Sequence, residues 1–317
     1  MKSIALLLTP QAKSAYFKEY LDVAKIELID LLGDNQQVDH QVIAAMDFFN
    51  IEVEERYLPA LARLSFVLGI FERSGEQLVP IAIDSGFMLH EDFVFGAKFK
   101  GKTNELLTQL LINVGLQRLD YASLQNIKLL DPMCGRATTL LWAMRYGMSA
   151  KGIEQDPKAL ADIRQTVKKW CKLHRVKHQF KEGFIGKSNK HNKGKFIDFS
   201  TNDNAMRVVA GDSIEAGTIL KGEKFHLIVS DLPYGVQHFT TAKTRNPLAV
   251  LAECAAGWHD CLKPEGVMVL AFNRYIPKRD DLIAVFEAQG LQALEFSAPH
   301  RMSESIVRDI VVFKKAL

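Results

Sequence analysis

The stretch Ile127-Lys128-Leu129-Leu130-Asp131-Pro132-Met133-Cys134-Gly135-Arg136-Ala137-Thr138-Thr139 reads as a short apolar strand, a glycine-containing turn and the start of a helix that runs on to Tyr146. A second such unit follows: Ser149 to Ile153 predicts a strand, and Pro157 to about His174 a helix. Val208 to Ala210, Leu227 to Ser230 and Val267 to Phe272 supply three more buried strands, the last two joined by a helix from Pro247 to Leu262. Short apolar runs alternating with helical stretches are the pattern of an α/β parallel sheet covered on both faces. After a helix from Asp280 to Gln289, the runs Leu291 to Ser297 and Ile306 to Phe313 lie too close together for a crossover, so they are expected to pair antiparallel.

Outward from this core, residues 1–90 are expected to form a smaller α/β domain, with strands at Ile4 to Leu8 and Phe48 to Val53 and helices at Lys13 to Leu32 and Pro59 to Ile70. Residues 91–317 then form the main domain. Within it the stretch 178–205, rich in Gly, Asn, Lys and Ser, is expected to be a mobile insertion.

At 317 residues with 48% hydrophobic content, the chain is long enough for two packed cores. No apolar run approaches the roughly 18 residues of a bilayer span, and Lys2 with the short run Ile4 to Leu8 makes a poor signal peptide. Cys134, Cys171, Cys254 and Cys261 show no metal-ligand or disulfide spacing, so a reduced, cytoplasmic protein without structural metal is expected. The net charge of +3 hides an asymmetry. Residues 164–195 hold eleven Lys or Arg against the single acid Glu182, whereas residues 1–90 hold seven basic and thirteen acidic side chains. A polyanionic partner met on one face is the implication, with Lys168, Lys169, Lys172 and Arg175 as candidate phosphate contacts.

Three acids stand at three successive strand ends: Asp131, Glu154 nineteen positions after Gly135, and Asp212 in Gly211-Asp212-Ser213. Ligands of open α/β sheets bind outside such ends, where an acid can accept ribose hydroxyls or a base amino group. Each acid alone has an ordinary alternative as a helix cap. The absence of GxGxxG argues against a pyrophosphate ligand, so a phosphate-free nucleoside such as S-adenosylmethionine fits better, with Asp131 facing its ammonium.

The fourth strand ends in Ser230-Asp231-Leu232-Pro233-Tyr234-Gly235. An exocyclic amine on a base is a poor nucleophile because its lone pair is delocalised. Asp231, also bordering the cofactor, can accept one N–H and a carbonyl of Leu232 or Pro233 the other, which localises that pair. Tyr234 offers a face on which an extruded base stacks, and Gly235 closes the turn. Carbon methylation would call for a nucleophilic cysteine, and none lies near this turn.

These motifs resemble the amino-methylating class I enzymes, most of all the tRNA guanine N2-methyltransferases, including the position-10 and THUMP-associated methylases. The cofactor loop of that family is matched by Asp131, Pro132, Cys134, Gly135 and Thr138 around Met133, its catalytic motif by Asp231 through Gly235, and its preceding segment by Phe99 to Leu106 with Thr103 and Asn104. The resemblance covers residues 95–317. It implies a Rossmann-like fold with a seven-stranded, mostly parallel sheet ending in an antiparallel hairpin, bound S-adenosylmethionine, and a tRNA substrate. A small protein activator, as some relatives use, is a further implied partner. Two departures stand out: Ala137 replaces the second loop glycine, and the acidic N-terminal domain is unlike an RNA-binding module. His300 and Arg301, between the last two strands, are candidates to touch RNA. N6-adenine methylation of DNA or RNA, protein glutamine methylation, and a non-catalytic S-adenosylmethionine- and RNA-binding module stay open as alternatives.

Overall fold

The computed structural model describes residues 1–97, 102–185, 194–233, 247–303 and 306–317. They form two compact units, residues 1–87 with 298–307 and residues 88–297 with 308–317.

The first unit contains β1 (Lys2–Leu8), α1 (Gln11–Tyr16), α2 (Tyr20–Leu32), β2 (Asp39–Ile43), β3 (Met46–Val53), α3 (Leu58–Leu61), β4 (Val67–Ser74) and β5 (Gln77–Pro80). Its strands form an antiparallel sheet in the order β2-β3-β1-β4-β5. Ile4 and Leu6 of β1 meet Phe49 and Ile51 of β3, and Leu28 of α2 packs on the same core. The helix expected from Pro59 to Ile70 is corrected: only its first turn is helical, and Val67 to Ile70 instead joins the ladder of β1. Phe66, Val67, Ile70 and Phe71 are β-branched or aromatic, and the open side of β1 gives them a partner.

The second unit contains α4 (Asp92–Phe95), α5 (Glu105–Leu116), β6 (Lys128–Asp131), α6 (Thr138–Arg145), β7 (Ser149–Glu154), α7 (Pro157–Leu173), β8 (Gln179–Phe184), β9 (Lys195–Ser200), β10 (Ala205–Ala210), α8 (Ala216–Ile219), β11 (Phe225–Asp231), α9 (Pro247–Cys261), β12 (Leu262–Asn273), α10 (Arg279–Glu287) and β13 (Leu291–Leu294). β14 (His300–Ser303) falls in the first unit, and β15 (Ile306–Lys315) ends the second sheet. The sheet runs β13-β15-β12-β11-β6-β7-β10-β9-β8. Strands β12, β11, β6, β7 and β10 are parallel, while β15 is antiparallel to both β12 and β13. From β10 to β13 this is the Rossmann-like order of the class I methyltransferases. The chain winds outward in both directions from β6, which makes the carboxyl ends of β6 and β11 the topological switch point where such sheets bind ligands.

Along this path two strands exceed the expected seven. The stretch expected as a mobile insertion contains β8 and β9, an antiparallel hairpin that extends the sheet beyond β10. Ile197 and Phe199 alternate inward and are fully buried, which fixes the register. The Gly-, Lys- and Asn-rich residues between the two strands obscured that alternation; 186–193 lie outside the described residues. On the faces, α5 comes so close to the sheet that a Cβ on Gly115 would lie 2.5 Å from Leu227 Cδ1. Cys254 and Cys261 are core residues; burial pushes their thiols up to about 12 and about 11, so neither is a thiolate at neutral pH. No described helix is long and apolar enough to cross a membrane.

Candidate active site

Asp131 ends β6 as a buried carboxylate, 2% exposed. It accepts hydrogen bonds from the Met133 amide (3.0 Å), the Ser230 hydroxyl (2.9 Å) and the Thr139 side chain. It thus ties the loop after β6 to the end of β11. Burial pushes its carboxyl up to about 6 despite those donors, and the nearby Glu154 pushes in the same direction.

Glu154, half-buried at the end of β7, holds the loop from the other side. Its two oxygens accept from the amides of Gly135 (2.8 Å) and Asp156 (2.7 Å). Burial raises its carboxyl too. The loop also bonds directly to β7, from the Cys134 amide to the Ile153 carbonyl at 3.0 Å. That approach requires Gly152, where a Cβ would stand 2.6 Å from Cys134 Sγ. Gly135 (φ +52°) faces open space, and Ala137 adopts φ +64°, ψ +28°, the left-handed region that glycine tolerates best. Arg136 points its guanidinium at Asp156 and Asp162, 3.5 and 3.2 Å away.

Asp212 is half-buried and caps the turn before α8 by accepting from the Ile214 amide at 3.0 Å. Ser213 is turned into the protein, where its hydroxyl accepts from Trp258 Nε1 at 3.1 Å. Asn104 caps α5, accepting from the amides of Leu106 and Leu107. Thr103 is half-buried beside it, whereas Pro132 and Thr138 are buried in the turn and the first turn of α6.

At the end of β11, Asp231 pairs in register with Ala271 of β12, and Leu232 extends the ladder by one bond to the Ala271 carbonyl, 2.9 Å. Leu232 itself is 4% exposed and packs in the core; Pro233 is half-buried. Tyr234 and Gly235 lie outside the described residues.

Sequence reading missed the partner of Asp231. Arg308 of β15, wholly buried, forms an ion pair with Asp231 Oδ1, and its Nη2 lies 3.5 Å from the Leu232 carbonyl. Burial pushes the guanidinium down only to about 9, so it stays charged at neutral pH. A signal existed: Arg308-Asp309 interrupts an otherwise apolar run, Ile306 to Phe313, and charges in a buried strand need partners. Asp309 finds its own in Arg279 (3.1 Å) and Ser297 (2.9 Å).

The basic residues fall into two places. Lys168, Lys169, Lys172 and Arg175 are exposed on the last turns of α7 and just beyond, with Lys168 over the Phe180 ring and Lys169 over Trp170. Because α7 starts at the ligand-binding end of β7 and returns along the sheet, its 17 residues carry Lys172 about 20 to 25 Å away from that end. His90, Asp92 and His174 cluster at the same far end, the two imidazoles stacked at 3.8 Å. At the near end, just past β12, Arg274, Tyr275, Ile276 and Lys278 are all exposed. Arg301 belongs to the first unit, 3.8 Å from Glu19, and His300 is buried there edge-on to Tyr16.

No protein-family model and no curated protein matches the chain. Among solved structures it is similar to TrmN from Thermus thermophilus, at 14% identity and a TM-score of 0.46 over 88% of this chain and 60% of that one. This chain therefore spans about three fifths of the length of TrmN. It is also similar to a methyltransferase from Pyrococcus furiosus, at 14% identity and a TM-score of 0.44 over 72% of this chain and 93% of that one. A third is the N-methyltransferase NodS from Bradyrhizobium japonicum WM9, at 14% identity and a TM-score of 0.40 over 67% and 95% of the two chains.

Proposed function

We propose that this chain is an S-adenosylmethionine-dependent methyltransferase acting on an exocyclic amino group of a nucleic-acid base, with N2 of guanine in tRNA as the target. The observation that carries the reading is Asp231: an acid at the end of the central strand β11, held by a buried arginine and joined through Ser230 to the cofactor loop.

The residues around that loop fit a nucleoside carrying positive charge. Asp131 and Glu154 stand at adjacent strand ends, both with raised carboxyl pKa values, and no buried cation among the described residues pairs with either. A bound sulfonium and ammonium supply the missing charge. Glu154 would hold the ribose, Asp212 the adenine edge, and Asp131 the methionine end through its field, since its own lone pairs already meet three donors of the chain. When bound, S-adenosylmethionine supplies an electrophilic methyl group and a neutral leaving sulfide.

The chain's own work is on the amine. Asp231 Oδ2 accepts one N–H of the target while Oδ1 stays with Arg308, and the Pro233 carbonyl accepts the other. Of the two carbonyls expected from sequence, Leu232 or Pro233, that of Leu232 is directed instead at Arg308. Fixing both N–H groups turns the nitrogen lone pair out of conjugation with the ring and toward the methyl.

A nucleic-acid substrate is supported by Arg274, Tyr275, Ile276 and Lys278 beside the catalytic turn, where an aromatic ring stands between cations. The basic end of α7 then meets phosphates remote from the target base. The deciding experiment incubates the protein with methyl-labelled S-adenosylmethionine and RNA purified from cells lacking this gene, then identifies the labelled nucleoside. N2-methylguanosine is expected. N6-methyladenosine would keep the mechanism and change the base; no label in RNA would remove the RNA-methylating reading.

A further inference from the structure

We propose that Arg308 is a positioning residue for this reaction, whose buried guanidinium keeps Asp231 a fixed, ionised hydrogen-bond acceptor and so prevents it from acting as the base that removes the amine proton. The inference rests on the reading of Asp231 as the amine acceptor.

The position follows from the register of three strands. Asp231 lies beside Ala271 of β12, and β12 in turn pairs antiparallel with β15, setting Asn273 opposite Arg308. A guanidinium reaching back from β15 past β12 therefore arrives at the carboxyl end of β11. There it meets both Asp231 Oδ1 and the Leu232 carbonyl. Both are met by the same nitrogen, Nη2, so one buried cationic group answers two consecutive acceptors of the catalytic turn. A fully buried arginine is tolerated only when its charge is answered, and breaking such a pair leaves the remaining partner uncompensated.

The surrounding charges give the pair its consequence. From β6, Asp131 is bonded to Ser230, the neighbour of Asp231, and so presents a second negative charge to the turn. From just past β12, Arg274 and from α10, Arg279 are directed at Asp309 rather than at Asp231. Among the described residues Arg308 is thus the cation that answers Asp231. With it, Asp231 remains a carboxylate. Without it, burial and the field of Asp131 favour the protonated acid, whose hydroxyl donates a hydrogen bond where the amine requires an acceptor.

Proton bookkeeping fits the same role. As the amine nitrogen bonds to the methyl carbon, the carbon–sulfur bond breaks and its electron pair stays on sulfur, leaving a positively charged nitrogen. That nitrogen loses one proton to solvent water, because a carboxylate neutralised by a guanidinium is too weak a base to keep it.

The test compares the wild type with Arg308→Gln and Arg308→Lys, reading kcat, KM for RNA and cofactor affinity from about pH 5 to about pH 9. For Arg308→Gln the expected outcome is a fall in kcat of about 100-fold at neutral pH, with the acid limb of the pH profile moved upward and cofactor affinity within about two-fold. Arg308→Lys should recover part of the rate and return the limb toward its original place. A uniform loss with an unmoved profile, or full activity in Arg308→Gln, would overturn the proposal. Carbon-13 NMR titration of carboxylates in the folded wild type needs no variant: Asp231 should titrate below the ordinary aspartate range, and a titration above that range would refute the role. Full activity in Asp231→Asn would instead remove the acceptor reading beneath it, so the two failures are distinguishable.

Discussion

The two halves of the sheet's ligand-binding edge handle acidic residues in opposite ways. At β6 and β7, Asp131 and Glu154 are held by neutral donors: amides of the loop, a serine and a threonine hydroxyl. Their charge is fixed in place without a buried cation of its own, and burial raises both carboxyls, although Arg136 works against the rise at Glu154. At β11, Asp231 has a buried arginine of its own. The difference teaches which half expects a charged visitor. On the proposed reading, the half that leaves its negative charge uncancelled receives a cation, whereas the half that cancels it receives a neutral group whose hydrogens need a fixed acceptor.

The largest effect that could break this comparison is on turnover. Asp231→Ala should lower methyl transfer by about 100- to 1,000-fold while calorimetry finds cofactor affinity little changed. Glu154→Gln should do the reverse, weakening affinity first. If either variant loses both properties equally, the two halves are not separate.

Next in size is a pH effect confined to the β6–β7 half. The carboxyl of Asp131 is raised from its usual 3.8 to about 6 in the folded protein. The folded state therefore binds that proton more tightly than the unfolded chain. Its contribution to stability is full below the unfolded value and is lost as pH rises through about 6, amounting to about 3 kcal/mol at most. Thermal unfolding across that window should show the slope in the wild type and a flatter profile in Asp131→Asn. Saturating S-adenosylmethionine should also flatten it, because a bound cation lowers the carboxyl's pKa.

Gly152→Ala sharpens the same half sterically. The new methyl would stand 2.6 Å from Cys134 Sγ and 2.8 Å from its Cβ, so the loop must move away from β7. A loss of about 1 to 3 kcal/mol in stability is expected, together with weaker cofactor binding. The smallest effect is at Ala137, held at φ +64°. Glycine there relieves about 1 to 2 kcal/mol of left-handed strain but gives up a buried methyl worth about 0.8 kcal/mol and gains unfolded-state freedom. Ala137→Gly should therefore change stability by less than about 1 kcal/mol, which unfolding curves can resolve.

Much of this was legible before any coordinates. The positions of the central strands along the chain, the antiparallel finish of β13 and β15, and the acids at the ends of β6, β7, β10 and β11 follow from hydrophobic period, connection length and turn chemistry, which are local. What was not legible is set by pairing between distant segments. Arg308 can be recognised as charged and out of place in an apolar run, but the sequence does not say which acid it answers. β8 and β9 were hidden because a hairpin at a sheet edge needs only one apolar face, here Ile197 and Phe199. Charge counting found the basic cluster of α7 but not which end of the sheet it would occupy, because that depends on helix direction. Asp131, Asp212 and Asn104 also turned out to serve the local needs of their own turns, as caps or loop ties, which is why acids at strand ends identify a site more readily than they identify its contacts.

The hydrogen bond from Ser230 to Asp131 joins residues 99 positions apart, and Arg308 reaches Leu232 across 76 more. Contacts of such separation form late, because a long loop must close before they add stability. During synthesis the loop after β6 is thus complete in sequence long before Ser230 can tie it to β11, and Asp231 has no counter-cation until β15 is in register. The site doubles as a checkpoint on its own assembly: a chain whose final strand is misaligned leaves the acid at the end of β11 uncompensated.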